Sequence, residues 1–195
     1  METSSKIANN LIKNVRTDET VKLSTLWEGG TSCVIHFMRR FGCPVCRMGA
    51  RDLSSLKPLL DSANVHLVGI GHEELGAQEF LNTGYWKGEL YIDMHKKTYS
   101  DLKFKRYNVL NIMRALILPE TVDAISKAHK EGIVGNLSGD SLQIGGTLIV
   151  DKDGKILLNF KQESPSHHVP LDQILHVLGI KRNQRSLSVD TASSN

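Results

Sequence analysis

Residues 33–47 read CVIHFMRRFGCPVCR. The first six form a short apolar run rich in strand formers, the pattern of a buried strand. Five residues separate that run from Pro44, which starts a helix, since proline is favoured where a backbone N–H would be unpaired anyway. Cys43 then falls at the N-cap. There, unpaired N–H groups and the positive end of the helix dipole favour an anion. Such a placement lowers a thiol pKa, and the thiolate is the nucleophile. Cys46 lies one turn on, on the same helix face. One sulfur is positioned to attack a substrate, the other to attack the adduct and close a disulfide.

Other readings of the pair compete with this one. A zinc site wants four ligands, usually from two paired knuckles. The chain has three cysteines and no second Cys-x-x-Cys. Cys33 and His36 are three apart on a strand and so point to opposite faces. The residues therefore favour redox chemistry, with no metal expected; a zinc site and a plain structural helix cap are the alternatives. Cys33 reads as a small buried core residue.

Outward from this stretch the chain alternates. Residues 65–71, 89–93, 147–151 and 155–160 repeat the strand pattern, with 151–154 (DKDG) as the turn between the last two. Residues 11–15 and 20–24 read as a smaller N-terminal hairpin. Helical patterns fill 44–61, 72–81, 96–104, 120–132 and 170–179, with Pro58 set to kink or divide the first. Strands separated by helices predict crossover units and a largely parallel sheet finished by an antiparallel hairpin. The fold class is α/β: a three-layer sandwich with a mixed central sheet, flanking helices and an N-terminal extension. The expected domains are a flexible N-terminus (1–10), one folded domain (11–180) and a disordered polar tail (181–195).

Bulk properties narrow the function. The chain has 195 residues, enough for one sizeable core, and a net charge of only +3. That surplus gives no case for nucleic-acid binding. No apolar run approaches a membrane span, and no secretion signal is evident, so a cytosolic address is the expectation. In a reducing compartment a close cysteine pair is catalytic or metal-binding more often than a permanent bridge. Arg39, Arg40 and Arg47 flank the pair and favour a thiolate or a substrate carboxylate, with Arg47, on the helix beside Cys46, the first choice. Phe41, Tyr85 and Trp86 are candidates to line an apolar pocket. His167 and His168, in a Ser/Pro-rich loop, read as exposed.

A strand, a Cys-x-x-Cys at the next helix start and a terminal hairpin and helix resemble the thioredoxin-like superfamily. Residues 39–47 (RRFGCPVCR), 52–56 (DLSSL), 88–93 (GELYID), 102–108 (LKFKRYN), 135–150 (GNLSGDSLQIGGTLIV) and 176–180 (HVLGI) resemble the peroxiredoxin-like family that contains the prostamide/prostaglandin F synthases. The resemblance implies a cytosolic oxidoreductase that reduces the endoperoxide of prostaglandin H2 or prostamide H2 to the F2α product. It implies Cys43 and Cys46 as the redox pair and thioredoxin as reductant. No tightly bound cofactor is implied: NADPH is the ultimate donor, through thioredoxin. No Gly-x-Gly-x-x-Gly is present, and Gly69-Ile70-Gly71 reads as a strand end. A general lipid-peroxide or disulfide reductase, or a non-catalytic redox-sensing protein, is the competing function. Where thioredoxins carry a cis-proline facing the pair, this chain has Ile144-Gly145-Gly146-Thr147. Helix-cap physics favours Cys43 as attacker; the peroxiredoxin likeness favours Cys46.

Overall fold

In the computed structural model, which describes residues 3–182, seven strands form one mixed sheet. They are β1 (Leu11–Asn14), β2 (Thr20–Lys22), β3 (Ser32–Phe37), β4 (Val65–Gly71), β5 (Glu89–Ile92), β6 (Gly146–Val150) and β7 (Ile156–Lys161). Their order across the sheet is β2-β1-β5-β4-β3-β6-β7. Only β3–β4 and β4–β5 pair in parallel; the other neighbours are antiparallel. The mixed sheet is as expected, but "largely parallel" does not hold. The expected N-terminal hairpin joins the main sheet edge through β1–β5.

The central strand β3 is apolar on both faces because both are covered. Val34 and Met38 join the cluster made by α1 (Pro44–Ser54), α2 (Lys57–Ser62), α3 (Ala77–Asn82) and α7 (Leu171–Val177). Cys33, Ile35 and Phe37 face the opposite cluster, with Ile7, Trp27, Tyr91 and Tyr99. That second layer is built from the short 3₁₀ turns Ser4–Lys6 and Leu23–Leu26 and from α4 (Lys97–Asp101). The predicted helix over 44–61 divides at Ser55 and Leu56, and Pro58 sits in the first turn of α2. The helix expected from residue 72 begins only at Ala77, because Gly76 takes a left-handed conformation at φ 81°.

Residues 3–10, expected as a flexible lead-in, are packed in this structure. Thr3 bridges Lys155, the Ser4 hydroxyl donates to the Gly154 carbonyl at 2.7 Å, and Ile7 is buried. One apolar side chain in a polar segment is what anchors it. Of the expected tail, residues 183–195 lie outside the described residues.

Two further helices complete the described residues. α5 (Val109–Leu116), absent from the sequence reading, is capped by the Asn108 side chain, which accepts from the Asn111 N–H. α6 (Pro119–Lys130) packs on α1, where Met48 meets Ala128 and Ile133.

Candidate active site

Strand β3 ends at Phe37, and the chain runs through Met38–Gly42 into Cys43 at the N-cap of α1. Gly42 is required at this turn by close approach. A Cβ there would lie 2.1 Å from Asn136 Oδ1. The Gly42 carbonyl accepts from the N–H groups of Asn136 (3.0 Å) and Leu137 (3.1 Å). The segment after α6 thus clamps the loop that carries the cysteines.

All three cysteines are free thiols. Cys43 is 4% exposed and Cys46 8%. Arg39 is itself buried, donating from Nη1 to the Ser141 carbonyl at 3.1 Å and from Nη2 to Cys43 Sγ at 2.8 Å. The Cys43 thiol is held well below its ordinary pKa. Hydrogen bonding from the Cys46 thiol is the main cause; the Arg39 guanidinium and the Cys46 N–H add to it, and together they outweigh burial. Cys46 moves the opposite way, pushed well up by that same bond to Cys43 and then by burial. The two shifts are opposite, so Cys43 is the sulfur of the pair that gives up its proton more readily. The N-cap position is as expected, but the side-chain donors, more than the helix end, set the direction.

A groove of about 510 Å³ opens over Cys43. Arg39, Arg40 and Pro44 form its floor, and Leu116, Ile125 and Leu137 its apolar wall. Cys46 does not line it. The volume is that of a small-molecule site, roughly 300–1,000 Å³.

The structure separates the arginines by role. Arg47, the first choice on sequence, does not touch the sulfurs. Its buried guanidinium donates to the carbonyls of Phe41 (2.7 Å) and Val134 (2.7 Å) and pairs with Glu79 at 2.8 Å. Helix rotation carries it away from the groove and makes it a clamp. Arg40 lines the groove and donates to the Leu137 carbonyl at 2.8 Å. Arg39 is the arginine at the sulfur. No sequence signal distinguishes it from Arg40, because the backbone path after β3 decides which one turns inward. His72, also unpredicted, supports it: its Nε2–H donates to the Arg39 carbonyl at 2.6 Å.

The aromatic candidates divide. Phe41 lines no part of the Cys43 groove; it is core, tilted against Phe80 with ring centroids 5.3 Å apart. Trp86 is core beside His36. Tyr85 lines a separate cavity of about 530 Å³ along the far half of α1, with Met48, His36 and His168. His168 is not exposed. Its ring lies over Gly49, where a Cβ would come within 2.5 Å of Cε1, and its Nδ1 meets the Gln162 amide at 3.1 Å. Burial pushes its pKa down. His36 is pushed down to about 3 by burial, so it is neutral. Cys33 and His36 point to opposite sheet faces, as strand alternation requires.

Comparison with known proteins gives a consistent result. The AhpC/TSA antioxidant enzyme family matches residues 52–164, a span that starts after the cysteine pair. The prostamide/prostaglandin F synthase of Aquarana catesbeiana is 50% identical over 176 residues, covering 90% of this chain and 87% of that protein. The Bos taurus protein of the same name is 52% identical over 171 residues, covering 87% and 85%. Among solved structures, peroxidoxin BcpB of Mycobacterium tuberculosis superposes with a TM-score of 0.62, covering 94% of this chain and 99% of that one. Its 17% identity bears on the fold alone, which is the thioredoxin-like fold of peroxiredoxins.

Proposed function

The chain belongs to the prostamide/prostaglandin F synthase family, and from that premise we propose that it reduces the endoperoxide of prostaglandin H2 or prostamide H2 to the F2α product. Membership makes it a thiol-dependent reductase; the substrate and the roles of individual residues are the proposal. The observation that carries it is the Arg39 Nη2–Cys43 Sγ contact of 2.8 Å at the floor of an apolar groove.

In this reading the Cys43 thiolate attacks one oxygen of the O–O bond. An S–O bond forms, the O–O bond breaks, and the other oxygen leaves as an alkoxide beside Arg39 and takes a proton. Cys46 then attacks the Cys43 sulfur, an S–S bond forms, and the second oxygen departs and is protonated to the second hydroxyl. The dithiol has lost two electrons and two protons; the endoperoxide has become a diol. Cys43 is the attacker because it combines groove access with the lowered pKa. Cys46 resolves because it stays protonated and out of the groove until the adduct forms. Arg39 is the supporting group, in place of Arg47, while Arg40 borders the groove. Thioredoxin returns the disulfide to the dithiol with electrons from NADPH, which does not bind this chain. The apolar wall and the volume favour a fatty-acid-derived peroxide over hydrogen peroxide.

The test is to supply prostaglandin H2 with thioredoxin, its reductase and NADPH. F2α product should form in step with NADPH consumption. Turnover no greater than that of a Cys43→Ser/Cys46→Ser double variant would remove the assignment. With limiting peroxide, Cys46→Ser should accumulate a sulfenic acid and Cys43→Ser should not; the reverse pattern makes Cys46 the attacker.

A further inference from the structure

Nine of the twelve large apolar side chains that are exposed among the described residues lie between Val109 and Leu137. They occupy α5, α6 and the loop beyond, the same elements that wall the Cys43 groove. Folded monomers scatter exposed apolar residues singly; a concentration of them marks an interaction surface. α5 supplies its centre. Ile112 and Ala115 turn inward, while Leu110, Met113 and, just past the helix end, Ile117 turn outward, with Leu110 71% and Ile117 73% exposed.

The charge on this segment has one sign. Residues 102–119 carry Lys103, Lys105, Arg106 and Arg114 and no carboxylate. Lys103, Lys105 and Arg106 are exposed just before α5, next to Tyr107, which is half-buried. Carboxylates do stand nearby: Arg106 pairs with Asp140 at 2.6 Å, and Glu120 and Asp123 begin α6. Lys103, Lys105 and Arg114 make no ion pair among the described residues. An apolar helix face beside exposed cations and an interfacial aromatic has the chemistry of a segment that lies in a bilayer surface.

We propose that residues 102–119 dock this protein on anionic membranes, α5 entering the headgroup boundary and Lys103, Lys105 and Arg114 meeting lipid phosphates. The groove over Cys43 then opens at the bilayer surface, where an apolar peroxide partitions. Peripheral docking needs no spanning helix, and no described helix is long and apolar enough to be one. A protein partner would bury the same apolar face but would not require a run of cations without acids.

The experiment is cosedimentation of the full chain with vesicles of phosphatidylcholine containing about 30% phosphatidylserine, and with phosphatidylcholine alone. The chain should partition to the anionic vesicles about tenfold more strongly, and about 0.5 M salt should erase most of that preference. The double variant Leu110→Ser/Ile117→Ser should lose about tenfold or more in binding. Its melting transition should stay unchanged, because both side chains are exposed. Leu75→Ser, exposed but outside residues 102–119, should bind as the natural protein does. No partition to either vesicle, or equal partition by the double variant, overturns the proposal. So does a concentration-dependent dimer that the double variant abolishes, which assigns the face to a second copy of the chain. Vesicle binding involves no turnover, so its outcome is separate from that of the synthase assay.

Discussion

Cys33 and Cys43 are closed off from solvent to nearly the same degree, at 0% and 4% exposure, yet their thiols move in opposite directions. Cys33 sits on β3 among Ile35, Val150 and Tyr91, and burial drives its pKa up, with Glu89 adding to the effect. Cys43 stands where the strand has run out and faces a thiol donor and a guanidinium. Burial disfavours a thiolate at both places; only one supplies donors that reverse it. The direction of each shift follows from what faces the sulfur, not from its accessibility, and a groove lies over Cys43.

Exchanging the sulfurs one at a time tests this contrast most severely. Cys43→Ser should lower turnover of prostaglandin H2 by roughly three orders of magnitude or more, since a nucleophile removed from a cooperating set abolishes the set. Cys33→Ala should leave kcat unchanged and cost about 1 kcal/mol of stability through a small cavity. Steady-state kinetics with thermal melts reads both. Loss of activity in a folded Cys33→Ala protein would erase the distinction between the two environments.

Next in size is the guanidinium. Arg39→Ala should raise the Cys43 pKa toward the ordinary thiol value of ~8.5 and slow alkylation near neutral pH by about tenfold to a hundredfold. The sign follows from the charge: Arg39 favours the thiolate, so its loss moves the inflection of the iodoacetamide pH–rate profile upward. Arg47→Ala provides the contrast. It should leave that inflection in place and lower the melting temperature, because it strips the Phe41 and Val134 carbonyls and Glu79 of their partner. Equal shifts in both variants would mean that net positive charge, and not a directed donor, sets the pKa.

The parts of this site that were legible in the sequence are those with local causes. Pro44 starts α1, and strand alternation separates Cys33 from His36. Pro58 divides the first helical stretch and Asp153-Gly154 closes the last hairpin. What escaped depends on contacts from far along the chain. Arg39 is chosen over Arg40 and Arg47 because Ser141 holds one of its nitrogens, and nothing near residue 39 records that. His168, in a loop that reads as solvent-facing, is drawn down by the vacant side-chain position at Gly49. α5 does carry a local signal, with Val109, Ile112, Met113 and Leu116 apolar at helical spacing, Asn111 and Arg114 polar, and Asn108 as the cap.

The smallest expected effect extends the contrast from sulfur to oxygen. Asp140, on the loop bordering the groove, holds an anion by donors much as Cys43 does. Partial burial pushes its carboxyl up. The Lys96 ammonium and Arg106 guanidinium, each at 2.6 Å, and the Leu142 N–H outweigh this and hold it below the usual range. A carboxyl whose folded pKa is depressed stabilises the fold fully above its unfolded value of ~3.9 and loses that contribution as pH falls through the folded value. Asp140→Asn should therefore cost about 1 kcal/mol at neutral pH, a modest figure because both partners reach solvent. The gap between natural and variant melting temperatures should stay constant from about pH 5 to 8 and narrow below about pH 4. Salt should shrink it too, which the buried Arg39–Cys43 contact should resist. A gap that persists unchanged at low pH would mean that Asp140 works through geometry, as an acceptor for Leu142, and not as a charge.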